Sequence, residues 1–174
     1  MLDAIEVLAR ERIGYAVIGA MAAAIHGVVR ASTDADVVLS LGGRKGSDLE
    51  QQFKSAGFQT EFRLGGVDDP IPAVLQLSDA FKNRVDLLVG LRGLEPDAFS
   101  RAIEVKFQGA SVRIISLEDF IAMKVFAGGP QDMSDARNAI RAGRQALDLV
   151  LVRRLAKRYG RDASEGLEAL LRDG

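Results

Sequence analysis

The chain has 174 residues, 48% of them hydrophobic, with 23 Lys and Arg against 24 Asp and Glu, which is enough apolar material for one buried core and too little chain for two. Cysteine is absent, which excludes disulfides, thiolate catalysis and Cys-based zinc sites and fits a reducing compartment. The first residues, Met1 to Glu6, carry acids where a secretion signal carries bases, and no apolar run reaches membrane-spanning length, so a cytoplasmic protein without membrane contact is expected.

Leu2, Ile5, Leu8 and Ala9 recur at helical spacing and predict an amphipathic first helix that Gly14 ends. Tyr15 to Ile18 reads as a short strand ending in the small residues Gly19 and Ala20, followed by a helix from about Ala20 to Val28. Thr33-Asp34-Ala35-Asp36 then opens an apolar strand through Val37-Val38-Leu39. A loop at 42–46 leads to a helix from about Ser47 to Ala56, terminated by Gly57. Phe58 to Leu64, Ala73 to Leu77 and Arg84 to Val89 read as strands, with turns at Gly65 to Pro70 and Asp79 to Asn83. Val105 to Phe107 and Ser111 to Ile115 form a hairpin around Gln108-Gly109-Ala110, and the pattern is helical from Ser116 onward. The expected fold class is α+β: a mixed sheet with helices packed on one face, in one domain over 1–174, whose sheet part spans about 1–115 and whose small helical part spans about 116–174.

The Asp34-Ala35-Asp36 stretch carries the chemistry. Strand residues two apart point the same way, roughly 7 Å apart at Cα, so Asp34 and Asp36 form a clamp suited to a divalent cation. The start of the helix after Gly19-Ala20 exposes unpaired N–H groups and the positive end of a dipole, where phosphate can settle if no bulky side chain intervenes. Alone, either Asp could merely cap a strand end.

Gly19-Ala20, a spacer of thirteen residues, then Asp34-Ala35-Asp36 resembles the signature of DNA polymerase beta-type nucleotidyltransferases. The fuller run with His26-Gly27 and Arg30-Ala31-Ser32-Thr33-Asp34 is similar to the AbiEii/AbiGii-like toxin branch of that superfamily. Arg84-Val85-Asp86 resembles the strand bearing the third carboxylate, and Ser116 through Lys124 to Asp132 and Asp135 resembles the helical segment that closes the site. The resemblance spans about 12–142 and implies a nucleotidyltransferase-like fold, with Mg²⁺, or Mn²⁺ in its place, held by Asp34, Asp36 and Asp86. It implies transfer of a nucleoside monophosphate from a nucleoside triphosphate to a hydroxyl. Gly19, Ala20, Arg30, Thr33, Lys124 and Asp132 are the expected nucleotide contacts.

Each of these residues also has a plainer role. Asp86 could pair with Arg84 or Arg113 across the sheet. Lys124 falls within the apolar stripe of Leu117, Phe120 and Ile121, where its ammonium needs a partner or a path to water. Asp132 and Asp135 stand where a helix start favours acids, and capping accounts for at least one of them. His26 is the chain's one histidine and is expected to pack or hydrogen-bond near the end of the glycine-motif helix.

From Arg137 to Arg161 the chain has eight basic residues (Arg137, Arg141, Arg144, Arg153, Arg154, Lys157, Arg158, Arg161) against one acid, Asp148. Helical spacing gathers them into stripes that fit RNA, with the end of a transfer RNA as the favoured acceptor, or an ordinary solvated surface. The toxin-like resemblance adds a cognate antitoxin or toxin protein as a partner. Two alternatives stand beside this reading: a relative of the fold without turnover, acting as a nucleotide- or partner-binding regulatory module, and a protein-modifying antitoxin-type nucleotidyltransferase. Ala20, which lacks a hydroxyl, and Gln131, where relatives carry a cation, motivate the first.

Overall fold

A computed structural model describes residues 1–29 and 34–172. In chain order its elements are α1 (Leu2–Arg10), β1 (Gly14–Val17), α2 (Gly19–Ile25), β2 (Asp34–Ser40), α3 (Gly46–Ser55), β3 (Gln59–Leu64), β4 (Ala73–Ser78) and β5 (Arg84–Val89). These are followed by α4 (Ala98–Arg101), β6 (Ile103–Phe107), β7 (Ala110–Ile114), α5 (Leu117–Ala127), α6 (Pro130–Gly143), α7 (Leu149–Tyr159) and α8 (Arg161–Arg172). The α+β class with a mixed sheet is the one that the periodicities predict.

The seven strands lie in the order β3-β4-β5-β2-β1-β7-β6. β2 runs parallel to β5 and β1 parallel to β7, while the remaining neighbours are antiparallel. Alternation fixes which side of each strand is buried. Leu75 and Leu77 of β4 and Val85 and Leu87 of β5 are almost wholly enclosed, and α3 packs on that side through Leu49 and Phe53. Their alternate neighbours Val74, Gln76, Ser78 and Arg84, Asp86, Leu88 face the other way and keep some exposure. Further across the sheet, Ala16 and Val38 are fully buried on that second side too, so the open surface begins where β2 meets β5.

α1 buries Ala4, Ile5, Val7 and Leu8 and ends at Arg10, four residues before Gly14, which instead starts β1. A Cβ at Gly14 would stand 3.4 Å from that of Ser40, its partner in the β1–β2 ladder. The short helix α4 lies in a stretch that the pattern leaves unassigned. β6 begins at Ile103, two residues ahead of the expected Val105. The helical tail resolves into four helices with legible boundaries. Ser116 caps α5 by accepting from the Asp119 N–H, Gly128 ends it in the left-handed conformation, Pro130 opens α6, and Asp148 caps α7 through the N–H groups of Val150 and Leu151. No described helix is long and apolar enough to cross a membrane.

Candidate active site

β2 carries Asp34 and Asp36 into the open surface, and the parallel ladder sets Asp36 opposite Asp86 and Asp34 opposite Arg84. Directly paired residues of neighbouring strands project to the same side about 4.8 Å apart, so the carboxylates of Asp36 and Asp86 stand side by side and Asp34 lies one pleat along. The sequence expectation that acids from two separate segments share one side of the sheet is met in this register. All three are half-buried.

The turn after β1 presses on this pair. The Ile18 N–H donates to the Asp36 carbonyl at 2.9 Å, which ties the turn to β2. Gly19 follows with φ +62°, and a Cβ built on it would fall 2.0 Å from Asp36 Oδ2. Only a residue without a side chain leaves the Asp36 carboxylate its place there. Ala20 is next, small and buried, and no side chain caps the start of α2. Gly19 and Ala20 thus stand against the carboxylates with the helix N–H groups near them. Arg30 and Thr33, the other expected contacts in this region, lie outside the described residues.

Gln76, which sequence reasoning missed, completes the inner arrangement. It sits opposite Asp86 on β4, and its Nε2 donates to Asp86 Oδ1 at 2.9 Å. The available signal was alternation: in Ala73 to Ser78 the apolar Ala73, Leu75 and Leu77 go to the core, so Gln76 had to face the side of Asp86. Asp86 is therefore held by an amide from the neighbouring strand, while Arg84 stands opposite Asp34 instead.

Among the described residues no set of three acidic or imidazole side chains closes around one point as a finished metal site. Asp86 is drawn toward Gln76 by the amide hydrogen bond. The adjacent pair still fits Mg²⁺, which binds through one or two carboxylates and takes its remaining oxygens from water and substrate phosphates.

Lys124 and Asp132 come together elsewhere. Lys124 Nζ lies 2.6 Å from Asp132 Oδ1 and 3.0 Å from Asp135 Oδ2, with the Phe120 ring 5.7 Å away. Asp135 is fully buried and also accepts from Gln131 Nε2 at 2.8 Å. The ammonium in the apolar stripe is thus satisfied by two acids of α6, and it does not simply run out to solvent. The helix-start reading of those acids is corrected for Asp135 only: α6 begins at Pro130 with Gly129 as its cap and no side-chain cap bond, which leaves Asp132 in the first turn, where an acid complements the dipole, and puts Asp135 beyond it.

His26 matches its expected structural part. Its Nε2 lies 2.9 Å from the Ile115 carbonyl and its ring is tilted against Phe120 at 5.3 Å, and burial lowers its pKa. Four of the eight basic residues of the stripes, in contrast, are paired with acids. Arg153 pairs with Glu168 at 2.7 Å, Arg154 with Glu95 at 2.8 Å, Arg158 with Glu95 at 3.7 Å and Arg161 with Glu165 at 2.6 Å.

No family model matches the chain, and no curated protein matches it in sequence. Solved structures do resemble it. The solution structure of the antibiotic-resistance factor ANT(2'')-Ia superposes with a TM-score of 0.60 at 14% identity, covering 99% of this chain and 95% of that one. ANT(2'')-Ia in complex with adenylyl-2''-tobramycin gives 0.58 at 15% identity, over 90% of this chain and 92% of that one. An antigenic nucleotidyltransferase-like protein from Paracoccidioides brasiliensis gives 0.59 at 17% identity, over 99% of this chain and 86% of that one. The chain thus has the nucleotidyltransferase fold, with Gly19, Asp36 and Asp86 gathered at one edge of its open sheet surface.

Proposed function

We propose that this chain is a divalent-cation-dependent nucleotidyltransferase acting in the cytoplasm, moving a nucleoside monophosphate from a nucleoside triphosphate to an acceptor hydroxyl and releasing pyrophosphate. The observation that carries the reading is the side-by-side placement of Asp36 and Asp86 beside a glycine that only just clears the Asp36 carboxylate.

Asp34, Asp36 and Asp86 are the residues that would hold Mg²⁺ or Mn²⁺. Such an ion, when bound, offsets the charge on the phosphate oxygens as pyrophosphate leaves. The rest falls to the chain. Gly19 and Ala20 let a phosphate approach the N–H groups at the start of α2. Asp86, aimed by Gln76, accepts the proton of the attacking hydroxyl. Lys124, Asp132, Arg30 and Thr33 are the further nucleotide contacts in this reading, with Lys124 exchanging part of its hold on α6 for phosphate.

The run from Gly19 to Asp36 supports a place in the AbiEii-like branch, with a toxin–antitoxin role, a cognate protein partner and a transfer RNA acceptor. Of the eight basic residues that favour RNA, Arg153, Arg154, Arg158 and Arg161 are paired with Glu95, Glu165 or Glu168, which narrows that support. A second reading, a nucleotide-binding regulatory module without turnover, draws on Ala20 and on the cation-free run Gly128-Gly129-Pro130-Gln131.

Purified protein with Mg²⁺ or Mn²⁺ and each α-labelled triphosphate is offered total RNA, cell lysate and small hydroxyl compounds. Label should move to an acceptor and should stop in the Asp34→Ala/Asp36→Ala variant. Transfer that survives the double change contradicts the site. Nucleotide binding without transfer by the wild type supports the module.

A further inference from the structure

The ladder that aligns Asp36 with Asp86 does not stop at β5. Following its register outward, Asp36, Asp86, Gln76 and Glu61 form one row across β2, β5, β4 and β3. Asp34, Arg84, Ser78 and Gln59 form the next, one pleat away. Strand spacing makes each row about 14 Å long from β2 to β3 and sets the rows roughly 7 Å apart. Every side chain in the two rows is hydrogen-bonding or charged. All are at least partly exposed, because α3 packs on the opposite side of these strands.

Resting on the nucleotidyltransferase reading, we infer that this polar surface of β3, β4 and β5 is the acceptor platform of the same site, and that it takes a neutral or amine-bearing polyhydroxylated small molecule. Three observations select that occupant. First, the platform carries acceptors and donors in alternation, Glu61 beside Gln76 and Ser78 beside Arg84, which suits a ligand whose hydroxyls each give and take a hydrogen bond. Second, apart from the carboxylates that would hold the ion, its charges are Glu61, already forked to the adjoining Arg63, and Arg84, so it offers no run of cations along which a phosphate polymer could lie. Third, neither row contains an aromatic ring on which a base could stack: Phe62, the nearest on β3, points to the other side, where its ring lies against Gly46.

Two kinds of role follow. Glu61 is fixed by a forked pair with Arg63, at 2.8 and 2.9 Å, which keeps its carboxylate ionised, and Ser78 sits one pleat from it; these two read the acceptor. Gln76 is a positioning residue that works through Asp86. In the transfer the acceptor oxygen bonds to the α-phosphorus, the bond from that phosphorus to pyrophosphate breaks, and the hydroxyl proton passes to Asp86 and then to water.

The test uses the full chain with Mn²⁺ and its preferred labelled triphosphate, offered glucosamine, myo-inositol, tobramycin, glucose 6-phosphate and total transfer RNA. The neutral and amine-bearing compounds should take label in preference to the sugar phosphate and the RNA. Glu61→Leu and Ser78→Val should each raise the acceptor KM about tenfold, the loss of one hydrogen bond, with the triphosphate KM and the melting temperature held. Gln76→Leu should lower kcat by a similar factor and leave the acceptor KM in place, a split that general loosening of the sheet does not produce. Label entering only RNA or only the sugar phosphate, or an acceptor KM indifferent to Glu61 and Ser78, overturns the platform while leaving the transferase standing. Failure of the wild type to bind the Mn²⁺–triphosphate removes the transferase reading and the platform with it.

Discussion

Replacing Gly19 with alanine tests the turn at the carboxylates, and its cost follows from two separate terms. An L-residue at φ +62° carries backbone strain of roughly 1–2 kcal/mol. The added methyl would meet Asp36 Oδ2 at 2.0 Å, whereas real Cβ contacts are essentially never shorter than 3.0 Å, so the carboxylate must move by at least the difference, 1.0 Å. A displacement of that size at a reacting centre lowers the rate by about 10²-fold. For a chain of this length the strain alone lowers the melting temperature by about 2–8 °C. Thermal melts, Mn²⁺ affinity by electron paramagnetic resonance and the transfer rate, taken together on Gly19→Ala, separate the terms. The expected result is a modest loss of melting temperature with a large loss of Mn²⁺ affinity and rate. A variant that melts lower but binds Mn²⁺ and turns over like the wild type would refute the placement of the Asp36 carboxylate against the turn.

Glu95 is nearly buried and held by Arg154 and Arg101, which lower its pKa from 4.5 to about 2. Because the folded value lies below the unfolded one, its contribution is present above about pH 4.5 and is lost as pH falls toward about 2. Screening at half-exposed Arg154 brings it to the order of 2 kcal/mol. Urea midpoints between pH 5 and 3 should fall more steeply for the wild type than for Glu95→Gln, and equal slopes would contradict the pairing. Lys124→Met leaves Asp135 fully buried without its ammonium, which should cost about 3–5 kcal/mol in urea unfolding; a loss below about 1 kcal/mol would show that the clasp is not what holds α5 to α6.

Strands and the helices around them were readable because their signals are local: alternation in Ala73 to Ser78, helical spacing in Leu2 to Leu8, and the start of α5 after Ser116. The grouping of Asp36 with Asp86 was accessible only through resemblance, since the sequence does not state that β5 lies next to β2 and parallel to it. Gln76 was hidden for the same reason: its partner is set by a second ladder. Lys124 showed itself as a charge in an apolar stripe, but that its partners stand on α6 follows from how the two helices pack. The basic tail shows the opposite case, a local pattern that distant residues alter. Glu95 lies 59 residues before Arg154 in the chain, so counting charges from Arg137 to Arg161 could not reveal that Arg154 and Arg158 close on it. Long-range ion pairs neutralise what local composition displays.

Crystals of the wild type grown with Mn²⁺ and a non-hydrolysable triphosphate, examined by anomalous scattering at the manganese edge, address the account at its centre. A manganese peak held jointly by Asp36 and Asp86 and lost in Asp86→Asn is the result expected from the register of β2 and β5. Manganese bound elsewhere, or a peak indifferent to that change, would contradict it.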